Sequence, residues 1–308
     1  MSELPFPELP EVAEHQRGER DLGVRYEDLT QDSRLRLEGV WPAMGRILWT
    51  DLPVAQSLGR LAAQGIRNVL ARVLMQCENE PLTARLPAKS EVRYELAHTV
   101  DAEGRPNRRL LLTHLRTLGW RGTPDNPVAL PTGDRVLAAR AYGMHVFTRP
   151  TARGGDHRVL ELHDEVLGDE LGPRVELPAP QELLELPAGA TWIEPAPTPD
   201  PAPTVFGLSH TDGNQHVNFQ AYPRLVEDAA LRRLHALHLG GRWLGRRLEV
   251  AYRKPCFAGE RMQIVVRAFE RGEARGVVAA FAEPNARAAD DWAAWGKPRC
   301  TVRMLLLP

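Results

Sequence analysis

The position of one proline-rich tract constrains this chain more than any other feature. Nine prolines fall between Pro173 and Pro203, closing with Pro195-Ala-Pro-Thr-Pro-Asp-Pro-Ala-Pro203. Such a run favours extended backbone and cannot occupy a helix interior. On each side of it the same order of hydrophobic patterns occurs: a short strand, an amphipathic helix, then several strands. In the first half, Leu22–Tyr26 reads as the strand. Leu35–Trp49 reads as the helix, with apolar residues at Leu37, Val40, Trp41, Met44, Ile47 and Leu48, and Pro42 is expected to bend or delay it. A second helix covers Val54–Ala63. Strands follow at Ile66–Met75, Ser90–Val100, Arg108–Leu118 and Arg135–Phe147, the middle two joined by a turn at Asp101–Arg105. In the second half, Thr204–Ser209 is the strand and Phe219–Leu239 the helix, with Tyr222, Leu225, Val226, Ala229, Ala230, Leu234 and Leu237 on one stripe. Strands at Arg247–Tyr252, Arg261–Glu270, Gly276–Glu283 and Arg299–Leu307 complete it. An antiparallel sheet wrapped around a long helix buries such a stripe. The chain therefore reads as α+β: a flexible lead-in (1–18), a first module (19–162), a proline-rich linker (163–203) and a second module (204–308).

Composition narrows the class. With 43% hydrophobic and 26% charged residues and a net charge of −1, the chain resembles a soluble globular protein and has no overall basicity to suggest a nucleic-acid partner. The three cysteines, Cys77, Cys256 and Cys300, are widely spaced and suggest neither a disulfide framework nor a zinc site. The N-terminus lacks the pattern of a signal peptide, and no apolar run approaches the ~20 residues of a membrane span. A cytoplasmic location is expected. Positive charge is concentrated locally. Arg224, Arg232, Arg233, Arg242, Arg246, Arg247, Arg253 and Lys254 face only Glu227, Asp228 and Glu249 over the same stretch, which is either a solvated face or a surface for an acidic partner.

Chemistry is concentrated in His210-Thr-Asp212-Gly-Asn214-Gln-His216-Val-Asn218, just before the second-half helix. If the segment is extended, Asp212, Asn214 and His216 share one side. Asp212 suits a general base or a nucleophile, Asn214 a group that holds it or a water, and His216 a proton donor or acceptor near neutrality. Unpaired N–H groups at the helix start offer donors for a developing oxyanion. Asn218 also reads as an N-cap. The corresponding first-half stretch holds Asp28, Asp32 and Ser33 without an Asn–His pair and reads as silent. Asp156-His157 and His163-Asp164 read as surface pairs. No G-x-S-x-G elbow, Walker loop or H-E-x-x-H is present.

The Asp212-x-Asn214-x-His216-Val217-Asn218 segment followed by Tyr222 resembles the catalytic segment of the plant-type acyl-acyl-carrier-protein thioesterases and, more loosely, the hot-dog thioesterases. Ala251-Tyr-Arg-Lys-Pro-Cys256 resembles that family's downstream Tyr-Arg-basic-Glu-Cys segment, with Pro255 in place of the carboxylate. The resemblance implies two tandem hot-dog modules, the C-terminal one catalytic and the N-terminal one shaping the acyl pocket. It implies hydrolysis of a fatty or polyketide-like acyl chain from acyl carrier protein or coenzyme A, as in fatty acid biosynthesis and lipid metabolism, with no cofactor and no metal. Asp212, Asn214, His216 and Cys256 would be catalytic. Asn218, Tyr222, Arg246, Arg253 and Lys254 would bind substrate. The two modules would form an internal pseudo-dimer, with a homodimer left open. A hot-dog dehydratase or hydratase acting on 3-hydroxyacyl thioesters is the alternative enzyme, and a non-catalytic acyl-binding protein the alternative outside catalysis.

Overall fold

The computed structural model describes residues 6–152, 157–284 and 291–308. It divides into two compact units, Phe6–Leu177 and Pro178–Pro308. In the N-terminal unit five strands, β1 (Arg17–Leu22), β2 (Arg67–Cys77), β3 (Ala88–Val100), β4 (Pro106–Trp120) and β5 (Arg135–Thr148), lie in the order β1-β3-β4-β5-β2. Every neighbouring pair is antiparallel. The β3–β4 connection is the expected hairpin: Asp101 N–H donates to the Arg105 carbonyl at 2.9 Å, and Gly104 takes φ +79°, a value that glycine adopts without a Cβ clash. Helix α1 (Trp41–Arg46) runs on as a π turn over Ile47–Asp51 and packs Trp41, Ala43, Met44, Ile47 and Leu48 inward. It starts later than its apolar spacing suggests. Pro42 sits in its first turn, where a missing N–H leaves no bond unmade. Helix α2 (Val54–Ala63) follows.

Two expectations differ here. The first strand is Arg17–Leu22, beginning inside the expected lead-in, rather than Leu22–Tyr26. Tyr26–Asp28 instead forms a 3-10 turn, because Asp28 Oδ2 accepts the Arg25 backbone N–H at 3.0 Å and folds the chain back on itself. The second concerns the surface pairs. Asp156 lies outside the described residues. Asp164 is buried, accepting from Ser57 Oγ at 2.7 Å and from Arg60 Nη2 at 2.7 Å. Burial works to raise its carboxyl, but hydrogen bonds from Ser57, Leu167, Arg60 and Val166 outweigh that and hold it below the usual carboxylate range.

The C-terminal unit contains helix α3 (Ala221–Ala236) and four main strands, β9 (Leu244–Tyr252), β10 (Arg261–Arg271), β11 (Ala274–Ala282) and β12 (Cys300–Leu307), ordered β9-β12-β11-β10. Three two-residue strands, β6 (Thr191–Trp192), β7 (Thr198–Pro199) and β8 (Thr204–Val205), pair with the outer edge of β10. The tract expected as a linker therefore has structure. The units divide at Leu177/Pro178, and residues 191–205 finish the sheet edge. Prolines alternate from Pro195 to Pro203, while the intervening Asp200 N–H bonds to the Ile264 carbonyl at 2.8 Å. An edge strand tolerates prolines on the side that has no neighbour to bond. Two buried carboxylates fasten the tract to α3. Asp200 receives Arg232 Nε at 3.0 Å and Nη2 at 2.6 Å, and Glu194 receives Arg233 Nε at 2.6 Å and the Ala268 N–H at 2.8 Å.

Arg109 plays a similar part in the N-terminal unit. It is fully buried, and its guanidinium donates to the carbonyls of Leu160, Gly168, Asp169 and Glu170. Removing it leaves four acceptors without their charged donor, so Arg109→Leu should cost about 3 kcal/mol or more in urea denaturation. A change within about 0.5 kcal/mol would contradict this role for Arg109. Burial pushes the His145 imidazole down to about 3, whereas an unfolded histidine titrates near pH 6.5. His145 thus adds stability that is intact above about pH 6.5 and lost as pH falls towards 3. The denaturation midpoint should decline over that window, and decline less in His145→Gln.

Candidate functional site at the start of helix α3

Residues 207–220 form one tight turn leading into α3. Leu208–His210 is a 3-10 turn in which the Gly207 N–H donates to His210 Nδ1 at 3.0 Å. In the neutral ring that places the proton on Nε2. Thr211 and Val217 then bridge across a loop, with the Asp212 N–H donating to the His216 carbonyl at 3.2 Å and the Gln215 N–H to the Asp212 carbonyl at 3.0 Å. Gln215 sits at φ +65°, a left-handed conformation that costs a non-glycine residue of order 1 kcal/mol. The segment is curled rather than extended, so Asp212, Asn214 and His216 do not line one side as the sequence suggests.

The turn instead organises the Asp212 carboxylate. Oδ1 accepts the backbone N–H of Asn214 at 2.9 Å, and Oδ2 accepts Nδ2 of Asn218 at 3.1 Å. The side-chain amide that holds the aspartate thus belongs to Asn218; Asn214 contributes its main chain, and its side chain is exposed. Asn218 is itself fixed on both sides. Its N–H donates to the His210 carbonyl at 2.7 Å, its Oδ1 accepts the Gln220 N–H at 2.9 Å, and its carbonyl accepts the Ala221 N–H at 3.0 Å. It is the clamp between the loop and the helix start, and it occupies two of the backbone donors expected to serve an oxyanion. The His216 side chain is half-buried, and no hydrogen bond joins its ring to Asp212 among the described residues. A water or carbonyl would have to lie between them for the two to act together. The N-cap position of α3 is Gln220 rather than Asn218. The Asn-x-Gln spacing, an Asx turn against a helix start, was the one sequence signal for the clamp.

Other expected residues lie apart from this loop. Tyr222 is buried among Phe206, Tyr252 and Phe281, and its hydroxyl bonds to the Cys256 thiol. It packs the core beneath the turn and presents nothing to a substrate. Cys256 is buried, and burial pushes its thiol up, against the smaller opposing effect of the Tyr222 hydroxyl. A nucleophilic cysteine needs accessible thiolate, so this environment does not suit the catalytic role given to Cys256. Arg246 is 2% exposed and cannot offer charge to a ligand from outside. Arg253 and Lys254 are exposed at the end of β9, with Arg253 Nε donating to the Pro298 carbonyl at 2.6 Å.

The same turn occurs in the N-terminal unit without a shared residue. Tyr26–Asp28 is its 3-10 turn, Leu29 bridges to Leu35, and Ser33 takes φ +63° where Gln215 takes +65°. The Thr30 N–H donates to the Arg34 carbonyl, the Ser33 N–H to the Thr30 carbonyl and the Arg36 N–H to the Asp28 carbonyl, repeating the bonds of Asp212, Gln215 and Asn218. Thr30, Arg34 and Arg36 stand where the second copy has Asp212, His216 and Asn218. The hydroxyl of Thr30 and the guanidinium of Arg34 both engage Asp32, so this copy neutralises its own carboxylate. A cavity of about 450 Å³ in the same unit is lined by Glu11, Glu95 and Glu170 among others. Three carboxylates make it a poor place for an acyl chain.

No family model matches the chain, and no curated protein matches its sequence. Solved structures do resemble it. A protein described as an oleoyl thioesterase from Lactobacillus plantarum aligns over 95% of this chain and 95% of its own, with a TM-score of 0.60 and 13% identity. An acyl-ACP thioesterase from Bacteroides thetaiotaomicron aligns over 95% of this chain and 98% of its own, with a TM-score of 0.52 and 16% identity. The 12:0-ACP thioesterase from Umbellularia californica gives the same coverages and TM-score at 11% identity. At such identities the likeness concerns the fold: a large antiparallel sheet with few helices, consistent with the hot-dog type. Among the described residues no helix is long and apolar enough to cross a membrane.

All three cysteines are buried. The folded protein should therefore react with no equivalent of a thiol reagent at neutral pH, and with three after unfolding. A thiol that reacts rapidly in the folded state would contradict the placement of Cys256.

Proposed function

We propose that this chain is an acyl thioesterase built from two tandem hot-dog modules, with its chemistry in the C-terminal unit. The observation that carries the reading is the Asp212 carboxylate, held by Asn214 N–H and Asn218 Nδ2 at the N-terminal end of α3. Two donors orient the carboxylate and leave it lone pairs for a water. In the proposed reaction, water adds to the thioester carbonyl carbon and gives its proton to Asp212. The tetrahedral intermediate then expels the thiol, which takes that proton back, leaving a carboxylic acid. The half-buried His216 is assigned to the carbonyl oxygen or the leaving sulfur. Asn218 is a positioning residue, acting through Asp212. The substrate would be an acyl chain on a carrier protein or on coenzyme A. The full-length likeness to structures named as acyl-ACP and oleoyl thioesterases supports this reading, as does the repetition of the turn in both units.

The test is a panel of acyl-carrier and acyl-CoA thioesters followed by mass spectrometry. Free acid should form, and Asp212→Ala should lower kcat by about 10²–10⁴-fold in a protein that is still folded by circular dichroism. An enoyl product with the thioester intact would assign the site to dehydration instead. Tight retention of unchanged substrate, indifferent to Asp212, would make the chain a binding protein.

A further inference from the structure

The loop before α3 carries two imidazoles, and the structure holds them differently. The His216 ring has no hydrogen-bond partner among the described residues. The His210 ring is fixed. Its Nδ1 accepts the Gly207 N–H at 3.0 Å. Its edge meets the ring of Phe206, with centroids 5.9 Å apart and planes at 86°. Phe206 is itself buried against Tyr222 and Phe281, so the surface behind the imidazole is rigid. The His210 carbonyl accepts the Asn218 N–H at 2.7 Å. Asn218 therefore grips His210 by its main chain and Asp212 by its side chain, and ties the two residues into one loop.

The first unit shows what the fold requires at this position. Asp28 ends the 3-10 turn there as His210 does here, and its carbonyl accepts the Arg36 N–H as that of His210 accepts the Asn218 N–H. In both units the N–H preceding the turn goes to the last side chain: Arg25 N–H to Asp28 Oδ2 at 3.0 Å, Gly207 N–H to His210 Nδ1 at 3.0 Å. Asp28 is an acceptor only, and its other oxygen is taken by the Arg25 guanidinium at 2.6 Å. The turn thus needs an acceptor and nothing more. Histidine adds a second nitrogen. With Nδ1 accepting, the neutral ring carries its proton on Nε2, and among the described residues nothing accepts from that N–H. The ring is half-buried, which leaves a fixed donor for a water or a ligand.

The site is short of such a donor. Asn218 occupies the N–H groups of Gln220 and Ala221 at the helix start, which an oxyanion would otherwise use. We infer that His210 is a catalytic residue of this site, its Nε2–H donating to the thioester carbonyl oxygen as negative charge develops there. The inference rests on the thioesterase reading. It leaves the leaving sulfur to His216 and adds no proton transfer, because Asp212 still carries the proton of the water to the departing thiol. A donor whose tautomer and orientation are set before substrate arrives needs no reorganisation during the reaction.

Two substitutions separate the nitrogens. His210→Asn keeps an acceptor where Nδ1 stands and removes the far donor. His210→Gln reaches the Nε2 position with its amide NH₂ and gives up the bond from Gly207. The measurement is kcat and KM, with thermal midpoints, on the acyl thioester that the wild type cleaves fastest. His210→Asn should keep the wild-type fold and lower kcat by about 10²-fold with KM little changed. His210→Gln should be less stable and yet faster than His210→Asn. A kcat for His210→Asn within about threefold of the wild type would overturn the inference, since the ring would then serve only the turn. So would His210→Gln slower than His210→Asn, because the bond from Gly207 and not the donor would then set the rate. If His210→Asn fails to fold, His210→Asp, which carries the acceptor used by the first unit, takes its place under the same criterion. A wild type that cleaves no thioester overturns the thioesterase reading and the role of His210 with it. An active wild type with an indifferent His210→Asn removes His210 alone.

Discussion

The hydrogen bond from Asn218 to Asp212 is the constraint on which the candidate site depends. A carboxylate on a loop ordinarily samples several rotamers and faces water in most of them. Here one oxygen is pinned by a main-chain N–H and the other by a side-chain amide. That amide is bonded in turn to the loop behind it and to the helix start ahead of it. The left-handed Gln215 is the strained element that closes the loop. The first unit closes the same loop with Ser33 but fills it with Thr30, Asp32 and Arg34, which bond to one another. The two turns show a single backbone solution carrying two different side-chain sets, only one of which leaves a carboxylate oriented and available.

Buried charge does much of the remaining work. Arg109 gathers four carbonyls of the 160–170 segment. Asp164 collects Ser57 and Arg60. Glu194 and Asp200 bind arginines of α3. Each pairing joins an irregular segment to regular structure, where no strand ladder or helix could satisfy the backbone. Such charges are costly to bury, and losing one partner is costlier still. They tie down stretches that composition alone marks as loops.

Much of this was legible in the sequence. The strands now numbered β2–β5 and β9–β12 lie within a few residues of the runs read from apolar alternation, because burial on a sheet imposes its period directly. Helix α3 was equally clear. Legibility failed where long-range bonds outvoted local pattern. Alternating prolines read as a spacer until β10 supplied an edge that needs donors on one side only. The 224–254 arginines read as an exposed face, but Asp200 and Glu194, 32 and 39 residues away along the chain, claim two of them. At the site the sequence marked the loop but not its geometry. Asp212 and His216 lie on one loop, but the amide holding the aspartate comes from Asn218, and Tyr222 and Cys256 belong to the core below. The repeated turn was invisible, since 25–37 and 207–219 share backbone geometry and no residue at equivalent positions.

The central claim is that orientation of Asp212, beyond its mere presence, sets the rate. Separate measurement of kcat and KM for Asn218→Ala on an acyl thioester tests it most directly. Loss of the clamp should lower kcat by about tenfold or more with KM nearly unchanged, since misplacing a reacting group costs turnover rather than binding. An unchanged kcat would contradict the claim and detach the carboxylate geometry from the chemistry.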